Sequence, residues 1–222
     1  MKKLIKMKKI VLSMLTLSTI AFSSCGEKNE EMEKEVTETE NVEVAKISGT
    51  YHVAESSVVT WSAQSYKDTV PEHVGTVAIS EGSIEVENDA IVGGEFSFDM
   101  ASILESGEPN DYTVMLQNHL KDTSFFFVAN FATSSFTLNS VEGDVATGSL
   151  EVLGISKEIS FPIETTVSAE LIAAKANFDL NMLQFNLPYL LEQDTLPEAE
   201  KMESTNPTVT FQLDISASKA AH

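Results

Sequence analysis

Residues 125–154 read FFFVANFATSSFTLNSVEGDVATGSLEVLG. Apolar side chains fall on alternate positions in two runs, Phe136 and Leu138 in the first, Leu150 and Val152 in the second. Alternation with period two gives an extended strand one face for a core and one for water. Val141-Glu142-Gly143-Asp144 supplies turn residues between the runs. The stretch therefore predicts a long antiparallel hairpin, approached through phenylalanines at 125, 126, 127 and 131.

Outward from this hairpin the same signal recurs. Residues 49–54 make a short strand, and 57–62 are β-branched and aromatic, ending in Trp61. Residues 74–80 alternate at Val77 and Ile79, and 83–87 at Ile84 and Val86, with Gly82 expected to turn the chain between them. Residues 91–100 put Phe96, Phe98 and Met100 on one face, and Gly93-Gly94 suits a bulge or a sharp bend. Residues 158–167 carry Ile159, Phe161 and Ile163 on one face; 169–183 carry Phe178 and Leu180. The last strand, 208–216, sends Val209, Phe211, Leu213 and Ile215 one way and Thr208, Thr210, Gln212 and Asp214 the other.

Two segments break the pattern. Residues 110–120 have Tyr112, Met115, Leu116, His119 and Leu120 at helical spacing, with Asn110 or Asp111 as cap. Leu187 to Leu191, then the acidic run 192–203, reads as a long loop with a turn of helix. An all-β antiparallel chain must close or sandwich its edges, and short, even spacing favours a barrel. About eight strands, with one or two short helices, give a closed or nearly closed barrel able to enclose one small ligand.

The N-terminus carries an address. Lys2, Lys3, Lys6, Lys8 and Lys9 precede an uncharged apolar run, 10–22, then Ser23-Ser24-Cys25. Met7 is an alternative start. A basic region, a short apolar region and small residues before a cut make a secretory signal rather than a membrane span. The expectation is a lipoprotein signal peptide over 1–24, lipidation at Cys25, a lipidated acidic tether over 25–46 and a barrel domain over 47–218. The alternative is an ordinary signal with an incidental thiol. Residues 27–45 hold eight glutamates, two lysines and no aromatic residue, too little apolar content to fold. They read as a spacer, or as a surface-export address of the kind seen after lipidated cysteines in Bacteroidetes-type bacteria. Cys25 is the only cysteine, so no internal disulfide can form.

The chain has 14 basic and 34 acidic residues; five of the basic ones lie in the signal, leaving nine against 34, a balance of −25. Such a surface excludes nucleic acid as a partner, since phosphate binding needs clustered cations. It is repelled by anionic headgroups too, so membrane attachment rests on the acyl chains. Chemistry-bearing patterns are scarce. His52, His73, His119 and His222 form no metal-binding pair. His119 reads as a structural hydrogen-bonding residue and His73 as a loop or barrel-mouth residue. No nucleophile elbow, phosphate loop or singled-out carboxylate pair is present. The reading is of a binding protein rather than an enzyme, with no catalytic residues, metal or cofactor expected.

GTVAISEGSIEVENDAIVGGEFSFDMASI (75–103), QNHLKDTSFFFVANFATSSFTL (117–138) and ATGSLEVLGISKEISFPI (146–163) together resemble the YceI-like family of exported proteins. His119-Leu120-Lys121 before Phe125-Phe126, with Gly148-Ser149-Leu150 and Gly154-Ile155-Ser156-Lys157 behind, carries the likeness most strongly. The resemblance implies a lipocalin-like barrel whose apolar interior holds a polyprenyl chain or quinone tail. The chain departs from the family at Ser62-Ala63-Gln64, at Asn181-Met182 and over 192–206.

Composition agrees with that implication. Twelve Phe against one Trp make the aromatic content apolar, and such a lining can take a hydrocarbon chain without stranding polar groups. Trp61, Phe96, Phe98, Phe136, Leu150, Phe161, Phe178 and Phe211 are the candidate ligand-binding residues. Three functions follow: a membrane-anchored, exported lipoprotein of the outer membrane, facing periplasm or surface, that binds or carries an isoprenoid lipid; a structural or adhesive surface lipoprotein with a solid barrel core; or an enzyme or heme-redox accessory acting on a lipid. Period two leaves the solid and the hollow barrel equally open, and a homodimer is a further expectation.

Overall fold

The computed structural model describes residues 46–66, 72–201 and 205–219, all within one unit, Val44–His222. The expected signal 1–24, the lipidation site Cys25 and the tether, apart from Lys46, lie outside the described residues, as does His222.

Ten strands form one sheet: β1 (Gly49–Val53), β2 (Val58–Ser65), β3 (His73–Glu87), β4 (Ala90–Glu105), β5 (Thr133–Glu142), β6 (Val145–Val152), β7 (Ile155–Pro162), β8 (Glu164–Val167), β9 (Leu171–Asn181) and β10 (Thr205–Lys219). Their order is β7-β6-β5-β4-β3-β1-β10-β9-β8, with β2 pairing β10 and β3. Every pairing is antiparallel. β1 and β2 lie end to end in one lane between β3 and β10: β1 pairs residues 83–86 and 217–219, and β2 pairs 73–78 and 205–213. β7 and β8 share another lane, since β7 pairs only β6 and β8 only β9. The ten strands therefore occupy eight lanes, and the barrel is nearly closed. At Ile163, whose N–H donates to Asp144 O, the chain passes from the β6 side to the β9 side. No backbone ladder joins β7 to the upper part of β9, residues 176–181. Side chains bridge that seam instead. The rings of Phe161 and Phe178 stack at 4.2 Å with planes 12° apart.

The central hairpin is β5–β6, with Glu142 opposite Val145 and a two-residue turn whose Gly143 takes φ +63°. The phenylalanines before it fold as turns, and Phe125 is buried between the rings of His119 and Tyr189. The bulge expected at Gly93-Gly94 is present, with Val92 as the extra residue between the pairs Glu85–Gly93 and Val86–Ile91. Gly82 does not turn the chain. β3 runs through it unbroken, with a bulge one step earlier between Ile79 and Glu81. Gly82 is an absent side chain: a Cβ there would lie 2.7 Å from Val53 Cγ2 and 3.2 Å from Phe96 Cδ1. A packing glycine and a turn glycine read alike in sequence.

The helix expected over 110–120 is α1 (Asp111–Lys121). Asn110 caps it, accepting from the N–H groups of Tyr112 and Thr113 while Thr113 Oγ1 accepts from the Asn110 N–H. β9 ends in a 3-10 turn, Met182–Phe185, and the stretch read as a loop with a turn of helix contains two short helices, α2 (Pro188–Asp194) and a one-turn α3 (Glu198–Lys201). Pro188 starts α2, where its missing N–H costs nothing. Leu187 and Leu190 bury the helix against the barrel.

One half of the interior is solid. Tyr51, Ile84, Val86, Ile91, Leu138, Ala146, Ile172, Ala174 and Ala217 are buried together. The Tyr51 hydroxyl, carried into this core, donates to Ser168 O at 2.8 Å, so its one polar atom is satisfied.

Candidate functional site

The other half is hollow. A cavity of about 850 Å³ opens beside α1, within the range of sites that enclose a drug-sized ligand. Along each strand the inward residues change from packed to lining: on β10 from Ala217 and Ile215 to Leu213, Phe211 and Val209, and on β9 from Ile172 and Ala174 to Phe178 and Leu180. Several inward side chains here, Leu150, Phe178, Phe211 and Leu213 among them, are only half-buried, because their inner surface borders space rather than another side chain.

Of the eight candidate residues, Trp61, Phe98, Phe136, Leu150, Phe161, Phe178 and Phe211 line this cavity. Phe96 does not. It is buried in the solid half, over Gly82 and Gly94 and against Phe136 at 6.2 Å. Its strand alternation is right, but it sits one step too far from the mouth. The aromatic wall is continuous: Phe136 meets Phe161 at 5.7 Å, Phe161 meets Phe178, and Phe178 meets Phe211 at 5.8 Å.

The rim comes from residues the strand pattern does not find. α1 contributes Tyr112, Met115, Leu116 and His119; the following turns add Phe125 and Phe126; α2 and its approach add Leu187, Tyr189 and Leu190. Met115 and Tyr112 are 59% and 52% exposed, so apolar surface continues from the cavity to the outside. The helical spacing of 110–120 was visible in the sequence; the side of the barrel it covers was not.

His119, at the end of α1, packs edge-on to Phe125 and Tyr189 and pairs through Nδ1 with Asp122 Oδ2 at 3.2 Å. Burial alone would push the Asp122 carboxyl up, but hydrogen bonds from the Ser124 side chain and N–H and from His119, with the His119 charge, hold it below its ordinary value. His73, the first residue of β3, lines the cavity and donates from Nδ1 to Glu105 Oε1 at 2.7 Å. Its ring stacks on Tyr112 at 5.9 Å, with Nε2 3.4 Å from the Tyr112 hydroxyl. His52 is exposed on β1. Among the described residues no cluster of His, Cys, Asp and Glu could hold a metal ion.

The YceI-like domain family model matches residues 51–217. Among solved structures, the fold is similar to a polyisoprenoid binding domain from Saccharophagus degradans implicated in plant cell wall breakdown, with TM-score 0.54, 13% identity and 77% of this chain and 98% of that one covered. It is also similar to BcnA of Burkholderia cenocepacia, with TM-score 0.53, 14% identity and 73% and 96% coverage. At these identities the likeness is one of fold. No curated protein matches in sequence.

Proposed function

The chain belongs to the YceI-like family, and from that premise we propose that it binds an isoprenoid or other long-chain lipid in the hollow half of its barrel, as a carrier rather than an enzyme. The observation that supports this reading is the apolar cavity of about 850 Å³, open at one end and walled by Phe, Leu, Val and Ile. Each apolar Å² a ligand buries there is worth about 25 cal/mol, so a hydrocarbon tail needs no polar partner to bind. The solid-core alternative fits the Tyr51 end of the barrel and not the α1 end.

We place the protein on a membrane through lipid on Cys25, with residues 27–45 as spacer, on the strength of the sequence pattern at 2–25. Two acyl chains suffice for stable anchoring. The protein purified from its own membrane should carry a mass in native mass spectrometry that organic extraction removes. Ligand-free protein that also fails to take up prenyl lipid refutes the carrier. Cys25→Ser should move the protein from the membrane to the soluble fraction; unchanged fractionation refutes the anchor. Protease shaving of intact cells reports whether it faces the periplasm or the outside.

A further inference from the structure

The cavity is mostly apolar, and one sector of its wall leaves buried polar atoms without partners. There Trp61, Gly75 and Glu105 form a cross-strand row, Trp61 opposite Gly75 and Gly75 opposite Glu105, so their inward positions share one face. Trp61 is 7% exposed and lines the cavity, yet its Nε1–H has no acceptor; Glu105 Oε2, equally hidden, has no donor. Buried polar atoms are nearly always paired, and an orphan carries an uncompensated desolvation cost. One missing donor and one missing acceptor on the same row are what an oxygen that both gives and takes a hydrogen bond would supply. Glu105 Oε1 fixes His73 through Nδ1, and His73 Nε2 faces the Tyr112 hydroxyl at the rim. The sector therefore offers a second pair of groups able to exchange hydrogen bonds with a neutral oxygen.

Charge narrows the class. Among the described residues lining the cavity there is no Lys or Arg, while Asp122 lines it and Glu105 stands behind His73. A phosphate or diphosphate would meet carboxylates without a fixed cation to offset them. We infer that the Trp61–His73–Glu105–Tyr112 sector reads the headgroup of the bound lipid, and that this headgroup is uncharged and bears a hydroxyl. The inference rests on the lipid-binding reading above and specifies its ligand: a prenyl alcohol or quinol in preference to a prenyl phosphate.

The test uses the full chain stripped of lipid, with Trp61, the only tryptophan, as fluorescent reporter. It is titrated with geranylgeraniol, geranylgeranyl phosphate and squalene. The alcohol should bind at least about tenfold tighter than the phosphate and several-fold tighter than the hydrocarbon, since a site built around a hydroxyl discriminates against ligands lacking it. Glu105→Gln and Tyr112→Phe should each shrink the advantage of the alcohol over squalene, read as the ratio of the two affinities, by about two- to tenfold. Tyr112 is half-exposed, so Tyr112→Phe serves even where Glu105→Gln fails to fold. Equal affinity for alcohol and squalene would mean that water alone serves the orphaned atoms, and this overturns the inference while the cavity reading stands. Tighter binding of the phosphate, or variants that leave the alcohol-to-squalene ratio untouched, overturn it as well. Failure of all three probes sinks the lipid-binding reading and this inference together.

Discussion

Phe161→Ala tests whether side chains close the seam between β7 and β9. Phe161 is 6% exposed and touches Phe136 at 5.7 Å and Phe178 at 4.2 Å. Truncating a buried Phe to Ala costs about 3–5 kcal/mol. One flank of Phe161 already borders the cavity, so fewer contacts are lost and the low end, about 3 kcal/mol, is expected. In a domain of this size 1 kcal/mol moves Tm by about 2–4 °C, so the variant should melt about 6–12 °C lower. The sharper quantity is the coupling between rings. A double-mutant cycle with Phe178→Ala should return about 1 kcal/mol, the middle of the range for aromatic pairs. The cycle on Phe96 and Phe136, 6.2 Å apart across strands that remain hydrogen-bonded, should return less. The assay is urea unfolding followed by circular dichroism. Zero coupling at Phe161–Phe178, or coupling equal to that of the Phe96–Phe136 control, would show that backbone pairing closes the barrel and that the stacked rings are incidental.

Three further outcomes are expected. Ala63→Phe and Leu150→Phe put added ring volume into the cavity; uptake of a prenyl lipid should fall at least about tenfold with Tm unchanged or raised, since the added atoms fill space rather than overpack, and unimpaired uptake would place the ligand elsewhere. A Cβ at Gly75 would overlap Leu104 O and the Trp61 ring, so Gly75→Ala should cost at least about 1–3 kcal/mol and shift Trp61 emission; a silent variant would mean that the ring does not lie there. Asp122, held below its ordinary value of 3.8 by bonds from Ser124 and His119, contributes stability that is present above its unfolded pKa and is lost as pH falls through the folded one. Asp122→Asn should therefore melt below the parent at pH 7, with the gap closing as pH falls through the folded pKa, below 3.8; a gap that persists in acid would assign the loss to packing.

Strand existence was legible wherever one face is wet. On β10, Gln212 and Asp214 are exposed while Ile215 and Ala217 are buried, and alternation of that kind survives in any sequence context. The cap of α1 was legible too, because Asn110 acts through its nearest neighbours. Gly82 was not, because a glycine under Phe96 and a glycine in a turn differ only in what lies across the sheet. Of α2 only a turn of helix was legible, because seven residues led by Pro188 carry little periodic signal; burial of Leu187 and Leu190 holds it in place.

The antiparallel all-β chain and the inward row of apolar residues on each strand are written in the order of residues, since each is a property of neighbours along the chain. Tertiary structure alone decided that half of that inward row meets across a packed core while the other half stops short and leaves a cavity. It also brought Trp61, His73, Glu105 and Tyr112 into one sector. Whether opposing walls touch depends on how eight lanes close and where α1 and α2 settle, and local periodicity holds no record of distances between walls.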